Sequence, residues 1–295
     1  MALINNNPKT NFIRLLKKIQ PTAGELAKAG SFSFSCKKRL TKSFDLKKFQ
    51  KIGSHSRGAA IKLYSDLDFL VILARNNAKW AGKIVNSNTF ISKISQDLND
   101  RYVKTGVRKD AQAVVVNFGR GQNSMDVVPG FFKGFKGKYP IYSIPNGGGG
   151  WIETSPEAHN GYIKNANTSS RSKLVKVAQL IRYWKHCWAN PVPLSSFYVD
   201  LLLANSGICD GVKSYPYIMY EFFKLMHERE CRGLRDPLGI SGVIYAVQTN
   251  NQSKVLVSAI DKSLGHAQAA ILAEIDKKNI EANRQWDMAF NHGFI

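Results

Sequence analysis

Two aspartates, Asp66 and Asp68, stand two apart at the head of the apolar run LDFLVIL. On a strand they share one face. Carboxylates this close repel, and burying them unpaired costs several kcal/mol. A divalent cation relieves that repulsion. Hard oxygen ligands on a fixed scaffold suit Mg²⁺, which keeps several waters and takes other ligands from phosphate oxygens. Taken alone, Ser-Asp-Leu-Asp reads better as the cap of a surface turn. The residues before it change the reading. Gly53-Ser54 ends the preceding segment and Gly58 follows four residues on. Glycine lets backbone N–H groups approach a phosphate, and Ser54 adds a hydroxyl donor. Two metals need more than two carboxylates. Asp126, in SMDVVPGF, supplies a third inside a short apolar strand where an unpaired acid is costly. Three carboxylates with two metals activate a hydroxyl and stabilise a leaving pyrophosphate. His55 reads as a loop residue near the phosphates. Gln112 and Asn117 have side chains able to reach the same place.

These groups need a scaffold. Residues 9–46 mix helical periodicity with many lysines, and Phe12, Leu15, Leu16 and Ile19 predict that a long amphipathic helix begins there. Residues 44–52 lead into the Gly-Ser loop. Residues 66–73 read as a strand buried on both faces. Residues 88–103 read as a helix, and 111–117 and 124–128 as two further strands joined by a turn at Gly119–Gly121. Pattern is lost over 139–150, where Pro140, Pro145 and Gly147–Gly150 fall. The glycine run reads as the crossing between lobes, or as a mobile flap. The remainder reads as helical: 171–188 with Leu174, Val177, Leu180, Ile181, Trp184 and Trp188 on one face, 194–205 with Ser195 and Ser196 in its first turn, 217–229 and 264–289. The two tryptophans read as core.

The chain has 295 residues, 44% hydrophobic and 21% charged, which argues against disorder. Lys plus Arg is 42 against 21 for Asp plus Glu, a formal charge of +21. That excess points to a polyanion (nucleic acid, nucleotide phosphates or an anionic membrane surface) or to a solvated surface with no specific partner. No apolar run of about eighteen residues predicts a membrane span. The start, MALINNNPKTNF, lacks the pattern of a secretory signal. Cys36, Cys187, Cys209 and Cys231 are scattered, so neither a disulfide framework nor a zinc knuckle is signalled. A reduced, cytoplasmic protein is expected.

The Gly53-Ser54 and Asp66/Asp68/Asp126 pattern resembles the DNA polymerase beta-type nucleotidyltransferase superfamily. SRSKLVKVAQLIRYWKHCW followed by PLSSFYVDLLL, and DPLGISGVIYAV with a later NRQWDMAF, resemble the cGAS/DncV-like nucleotidyltransferases, the CD-NTases. The resemblance covers about residues 45–290. It implies a bilobed α/β plus α fold: a mixed-sheet catalytic core with a long N-terminal spine helix over 1–146, a helical donor-binding lobe over 151–295, and an active site in the cleft between. It implies template-independent synthesis of a signal nucleotide, usually cyclic, from ATP, GTP or UTP with two Mg²⁺, for which Mn²⁺ substitutes. Asp66, Asp68 and Asp126 then become the metal ligands, and Gly53 and Ser54 hold the donor phosphates. Arg182 falls where many relatives carry a phosphate-binding Lys, a change that keeps charge but alters geometry. Lys185 lies three residues on and shares that role or a solvated helix face. Ser196 matches a phosphate-binding serine. Phe197 matches a base-stacking aromatic, with core packing as the alternative. Ala59 departs from the pattern, since relatives commonly carry Thr there.

Basic residues cluster early, at Lys17, Lys18, Lys37, Lys38, Arg39 and Lys42 among others. On one surface they would hold a double-stranded RNA or DNA activator, as cGAS and the oligoadenylate synthetases do on that side. Constitutive activity is the rival expectation. A monomer in bacterial antiphage signalling of the CBASS type, with a downstream effector that reads the product, completes the picture. The alternatives are a linear oligonucleotide synthetase, an RNA-tailing enzyme or a catalytically dead nucleic-acid-binding relative.

Overall fold

The computed structural model describes residues 7–117 and 124–294. The turn expected at Gly119–Gly121 lies outside the described residues. The chain forms two compact units: Pro21–Gly161, and Met1–Gln20 joined with Tyr162–Ile295. The division therefore falls after residue 161 and not at 146–151, and the first helix belongs with the C-terminal helices.

The expected single N-terminal helix is two, α1 (Pro8–Lys18) and α2 (Ala23–Ser43). Pro21 has no N–H and disfavours helical conformation at Gln20, so α1 stops at Lys18 and does not run on into α2. Thr22 restarts the helix through a capping box: its hydroxyl accepts from Glu25 N, and Glu25 accepts from Thr22 N. Thr22→Ala should lower stability by about 1 kcal/mol, read as a shift in the urea midpoint at constant slope.

The Pro21–Gly161 unit is built on a seven-stranded mixed sheet. In chain order it comprises β1 (Leu46–Lys51), the one-turn α3 (Gly53–Ser56), β2 (Leu67–Leu73), the small hairpin β3 (Lys79–Trp80) and β4 (Lys83–Ile84), α4 (Ser87–Arg101), β5 (Gly106–Asp110), β6 (Ala113–Asn117), β7 (Ser124–Lys136), β8 (Tyr139–Pro145) and β9 (Trp151–Thr154). The order β1-β2-β7-β6-β5 puts β2 and β7 side by side and parallel, with β8 paired to β7 and β9 to β8. Leu67, Phe69, Val71 and Leu73 of β2 pack into a core with Leu40 of α2 and Phe90, Ile94 and Leu98 of α4. Leu70 and Ile72 pack on the opposite face against Tyr142 and Ile144. Asp68 and Asp126 share that second face by the two-residue alternation, Asp126 standing between Met125 and Val127 of the first core.

Strand β7 is far longer than the expected 124–128, and β8 occupies part of the stretch read as patternless. The glycine run is the turn that closes β8 onto β9. Asn146 Oδ1 accepts from Gly148 N and Gly150 N, and Gly149 O accepts from Ser87 N at the start of α4. Gly147 and Gly149 have φ of 83° and 93°, which explains the residue choice. It is neither a lobe crossing nor a free flap.

The second unit holds α1 and, in chain order, α5 (Pro156–Ser169, within which the division falls), α6 (Lys173–His186), α7 (Ser196–Ser206), α8 (Tyr215–Glu228), the short pair β10 (Leu234–Arg235) and β11 (Val243–Ile244), α9 (Asn250–Ile275) and α10 (Asn279–Ala289). The helix expected over 264–289 is two, broken where Lys277 takes a φ of 61°. Trp184 is fully buried, as expected of core, whereas Trp188 is only half-buried; Trp286 is fully buried too, and Trp184 Nε1 donates to Ser263 Oγ and Ala289 O. Phe12 of α1 meets the Trp286 and Phe294 rings at 5.0 and 4.6 Å. No helix among the described residues is long and apolar enough to cross a membrane.

Candidate active site

Register places the acids. In the parallel pair β2–β7, Asp68 stands opposite Asp126. Asp66 precedes β2 by one residue and is exposed, whereas Asp68 and Asp126 are half-buried. Asp66 Oδ1 accepts from Ser124 N at 3.0 Å and Ser124 Oγ at 2.8 Å. The same hydroxyl lies 3.4 Å from Asp126 Oδ1. Ser124 therefore links two of the three acids. It is not among the expected site residues, although a Ser-x-Asp spacing puts Ser124 on the face of Asp126. Burial, and then the negative charge of Asp66, push the Asp126 carboxyl from 3.8 up to about 6. Among the described residues no three acidic, His or Cys side chains converge into a ready-made metal cluster. What is present is Asp66 and Asp126 joined through Ser124, with Asp68 opposite Asp126 in register and Asp126 costly to ionise.

The Gly-Ser loop abuts these acids. Ile52 N donates to Asp68 O at 2.8 Å, which carries the end of β1 directly against Asp68. Gly53 follows with φ +64°, and a Cβ there would lie 1.8 Å from Asp68 Oδ2. The loop then folds on itself: Ser56 Oγ donates to Gly53 O, and Ala59 N to Ser54 O at 2.9 Å. Ser54 and Ala59 are buried. Gly58 has φ +69°, and a Cβ there would meet no atom within 4 Å, so it serves the turn and not a close approach. His55 Nε2 faces Ser65 O at 3.4 Å, and burial lowers its pKa despite that contact, which leaves a neutral ring. Asn117 ends β6 and pairs in register with Ser124; Gln112 sits in the turn before β6.

The other expected site residues belong to the helical unit. Arg182 on α6 is 3% exposed, and its Nη2 donates to Asp200 Oδ1 at 2.7 Å and Ser196 O at 3.3 Å. Lys185 Nζ donates to Leu194 O at 3.1 Å. Ser195 is the N-cap of α7, its side chain accepting from Tyr198 N, and Ser196 and Phe197 open the helix half-buried. The structure thus gathers Arg182, Lys185 and Ser196 around the start of α7. Asp200 is a further member that the sequence pattern does not single out; its place four residues after Ser196, on the same helix face, is the available signal.

Of the basic residues expected on an activator surface, Lys37, Lys38 and Lys42 of α2 are exposed, as are Lys17 and Lys18 of α1. Arg39 is not free. It forms a two-pronged pair with Asp97 of α4 at 3.0 and 2.6 Å. Lys17 and Lys18 stand on α1, and Lys37, Lys38, Arg39 and Lys42 on α2, so the six are spread over two helices and not one.

A family model, the Second Messenger Oligonucleotide or Dinucleotide Synthetase (SMODS) domain, matches residues 7–167, more than half of the chain. The chain belongs to the SMODS family. It is a cGAS/DncV-like nucleotidyltransferase by membership, and the matched SMODS residues include all three aspartates. A cyclic AMP-AMP-AMP synthase from Escherichia coli strain MS 115-1 is 23% identical over 194 residues, 64% of this chain and 59% of that synthase. A probable cyclic nucleotide synthase from Bacillus cereus strain VD146 is 22% identical over 273 residues, 82% of this chain and 80% of its own length. The solved structure of E. coli MS115-1 CdnC with ATP is 18% identical, with a TM-score of 0.75 over 99% of both chains. This SMODS-family chain thus has the mixed-sheet and helical architecture expected of it. Arg182, Lys185, Ser196 and Phe197 lie beyond the matched SMODS residues.

Proposed function

We propose that this chain is a template-independent nucleotidyltransferase that joins nucleoside triphosphates (ATP, GTP or UTP) into a cyclic di- or oligonucleotide second messenger. The observation that carries the reading is the placement of Asp68 and Asp126 in register on one sheet face, with Asp66 and Gly53 against them. The names of the two curated relatives, both cyclic nucleotide synthases, support it.

The donor set fits a hard divalent cation. Three crowded carboxylates, with Asp126 pushed up to about 6, gain most from a positive charge placed among them. Asp66, Asp68 and Asp126 would hold two Mg²⁺, with Mn²⁺ as a substitute. When bound, the ions supply acidity to the acceptor hydroxyl and offset charge on the leaving pyrophosphate. Gly53 lets the loop backbone lie directly against Asp68, and Ser54, Arg182, Lys185 and Ser196 hold the donor while Phe197 stacks on its base. Asp126, whose carboxyl is pushed by burial up to about 6, accepts the proton of the attacking ribose hydroxyl. A second transfer at the same acids, after the linear intermediate turns round, closes the ring.

Mass spectrometry of products from mixed nucleoside triphosphates tests this. A cyclic product supports the reading; a linear or polymeric one moves the chain to a linear synthetase or tailing enzyme. Asp66→Ala and Asp68→Ala should abolish product without unfolding the protein, since each removes charge repulsion. Either variant releasing pyrophosphate at the parental rate would overturn the metal assignment.

The exposed Lys37, Lys38 and Lys42 support an RNA or DNA activator lying along α2, in antiphage signalling with an effector that reads the product. Replacing all three with Glu should remove stimulation by double-stranded nucleic acid while sparing basal turnover, and stimulation by the parent should weaken as salt rises. Full activity of the pure protein without nucleic acid, unchanged by nuclease, would sink this part.

A further inference from the structure

Strand β7 outruns the sheet. Leu73, the last residue of β2, stands opposite Phe131, so residues 132–136 of β7 pair with β8 alone. The stretch from Phe132 to Tyr139 is therefore a two-stranded hairpin that projects past its neighbours, closed by Gly137, at φ 57°, and Lys138. Its register shifts between Phe132 and Gly134. Residues three apart on a regular strand face opposite ways. The extra residue of this bulge, Lys133, brings Phe132 and Phe135 to one face. Their rings meet edge to face at 5.2 Å, and Phe132 meets Tyr142 at 6.2 Å. Tyr142 is buried against Leu70 and Ile72, whereas Phe132 is 43% exposed and Phe135 70%. The three rings run outward from a fixed root to a bare tip.

The charges around the rings have one sign. The segment FFKGFKGKYPI, residues 131–141, holds three lysines and no acid. Lys133 is paired with Glu153 of β9. Lys136 and Lys138 are exposed, at the turn and just before it. Flat apolar faces beside cations suit an unpaired nucleotide strand, whose bases stack on the rings and whose phosphates meet the ammonium groups. A duplex keeps its bases stacked inside and offers the rings nothing. Two rings are too small an apolar area to hold a lipid surface.

We propose that the β7–β8 hairpin docks single-stranded nucleic acid, with Phe132 and Phe135 stacking on bases and Lys136 and Lys138 meeting phosphates. Phe135 lies nine residues beyond Asp126 on β7, on the order of 25–30 Å along the strand. The docked strand is thus remote from the catalytic acids. The proposal rests neither on the nucleotidyltransferase reading nor on a duplex along α2, since it uses other residues.

Fluorescence anisotropy with labelled oligouridylate and oligothymidylate of about twelve nucleotides tests it, beside a duplex of equal length and phosphatidylserine vesicles. The single strands should bind the parent more tightly than the duplex, and a preference for uridylate or thymidylate assigns the strand as RNA or DNA. Phe132→Ala/Phe135→Ala should weaken single-strand binding at least about tenfold. Lys136→Ala/Lys138→Ala should weaken it too, and reduce the slope of log affinity against log salt by about 1 to 1.5. Phe135→Trp should keep the affinity, and its added fluorescence should be quenched as a base stacks on it. Should the double Phe variant lose its melting transition, Phe135→Ala alone takes its place, with an expected loss of about fivefold. Single-strand affinity unchanged by loss of the rings overturns the proposal. So does equal binding of duplex and single strand. Vesicle binding that needs the two rings, with no binding of single strands, gives the hairpin to a membrane and overturns it as well.

Discussion

Replacing Asp126 with Asn should lower product formation by more than about a thousandfold and, in the same protein treated with chelator, raise stability at pH 7.5. The loss of activity follows from removing a charge that works only on the reacting atoms, an effect worth several kcal/mol. The gain in stability follows from where Asp126 sits. Burial comes first and the neighbouring Asp66 second in pushing its carboxyl from 3.8 to about 6, so the folded chain binds that proton more tightly than the unfolded chain. The penalty for ionising it is absent below about pH 4, grows as pH rises through the window between 4 and 6, and is complete above 6. Its size is on the order of 2 kcal/mol. Asn carries no such penalty. The difference in unfolding free energy between Asp126→Asn and the parent should therefore be small at pH 4.5 and favour the variant at pH 7.5. Mg²⁺ should then raise the melting temperature of the parent and not of the variant, since a ligand stabilises only the state that binds it. Urea unfolding at the two pH values, with and without Mg²⁺, checks all of this. Equal stability of parent and variant at both pH values would show that Asp126 is not strained.

The second large effect concerns a residue with no side chain. Gly53→Ala should remove activity by at least about a hundredfold and lower stability by about 2–4 kcal/mol. Its φ of +64° costs an L-residue about 1 kcal/mol. The rest arises because the new methyl would sit 1.8 Å from Asp68 Oδ2, so the carboxylate or the strand end must move. Gly58→Ala is the control. It shares the left-handed backbone, with φ +69°, but meets nothing within 4 Å, and should cost only about 1 kcal/mol with activity retained. Steady-state rates with melting curves for the two alanine variants separate backbone strain from a clash at the site. Equal loss of activity in both would mean that loop conformation, and not the approach to Asp68, is what matters.

The parts legible in the sequence are those whose signal is local. The Asp-x-Asp at a strand head, the Gly-Ser before it and the acid in a short apolar run each declare themselves within a few residues. Trp184 and the caps of α7 do so too. The rest depends on partners far along the chain. Nothing near Arg39 announces Asp97, and nothing near Arg182 announces that Asp200 and Ser196 O share one of its nitrogens. Strand β8 is hidden by its own composition. Pro140 and Pro145 argue against a strand, yet they sit at its two ends, opposite Phe135 and Trp151, where the missing N–H is tolerated. The glycine run looks like a linker because its order comes from Asn146, one side chain that bonds two of its amides.

The pairing of α1 with α10 has a consequence for synthesis. Pro21–Gly161 is one continuous stretch and can fold as soon as it leaves the ribosome. Helix α1, made first, must wait for Trp286 and Phe294 before Phe12 is covered. At about 5–20 residues per second that interval is on the order of 10–60 s. During it the newborn chain carries Phe12 on an uncovered apolar face of α1, a surface that a holding chaperone would bind.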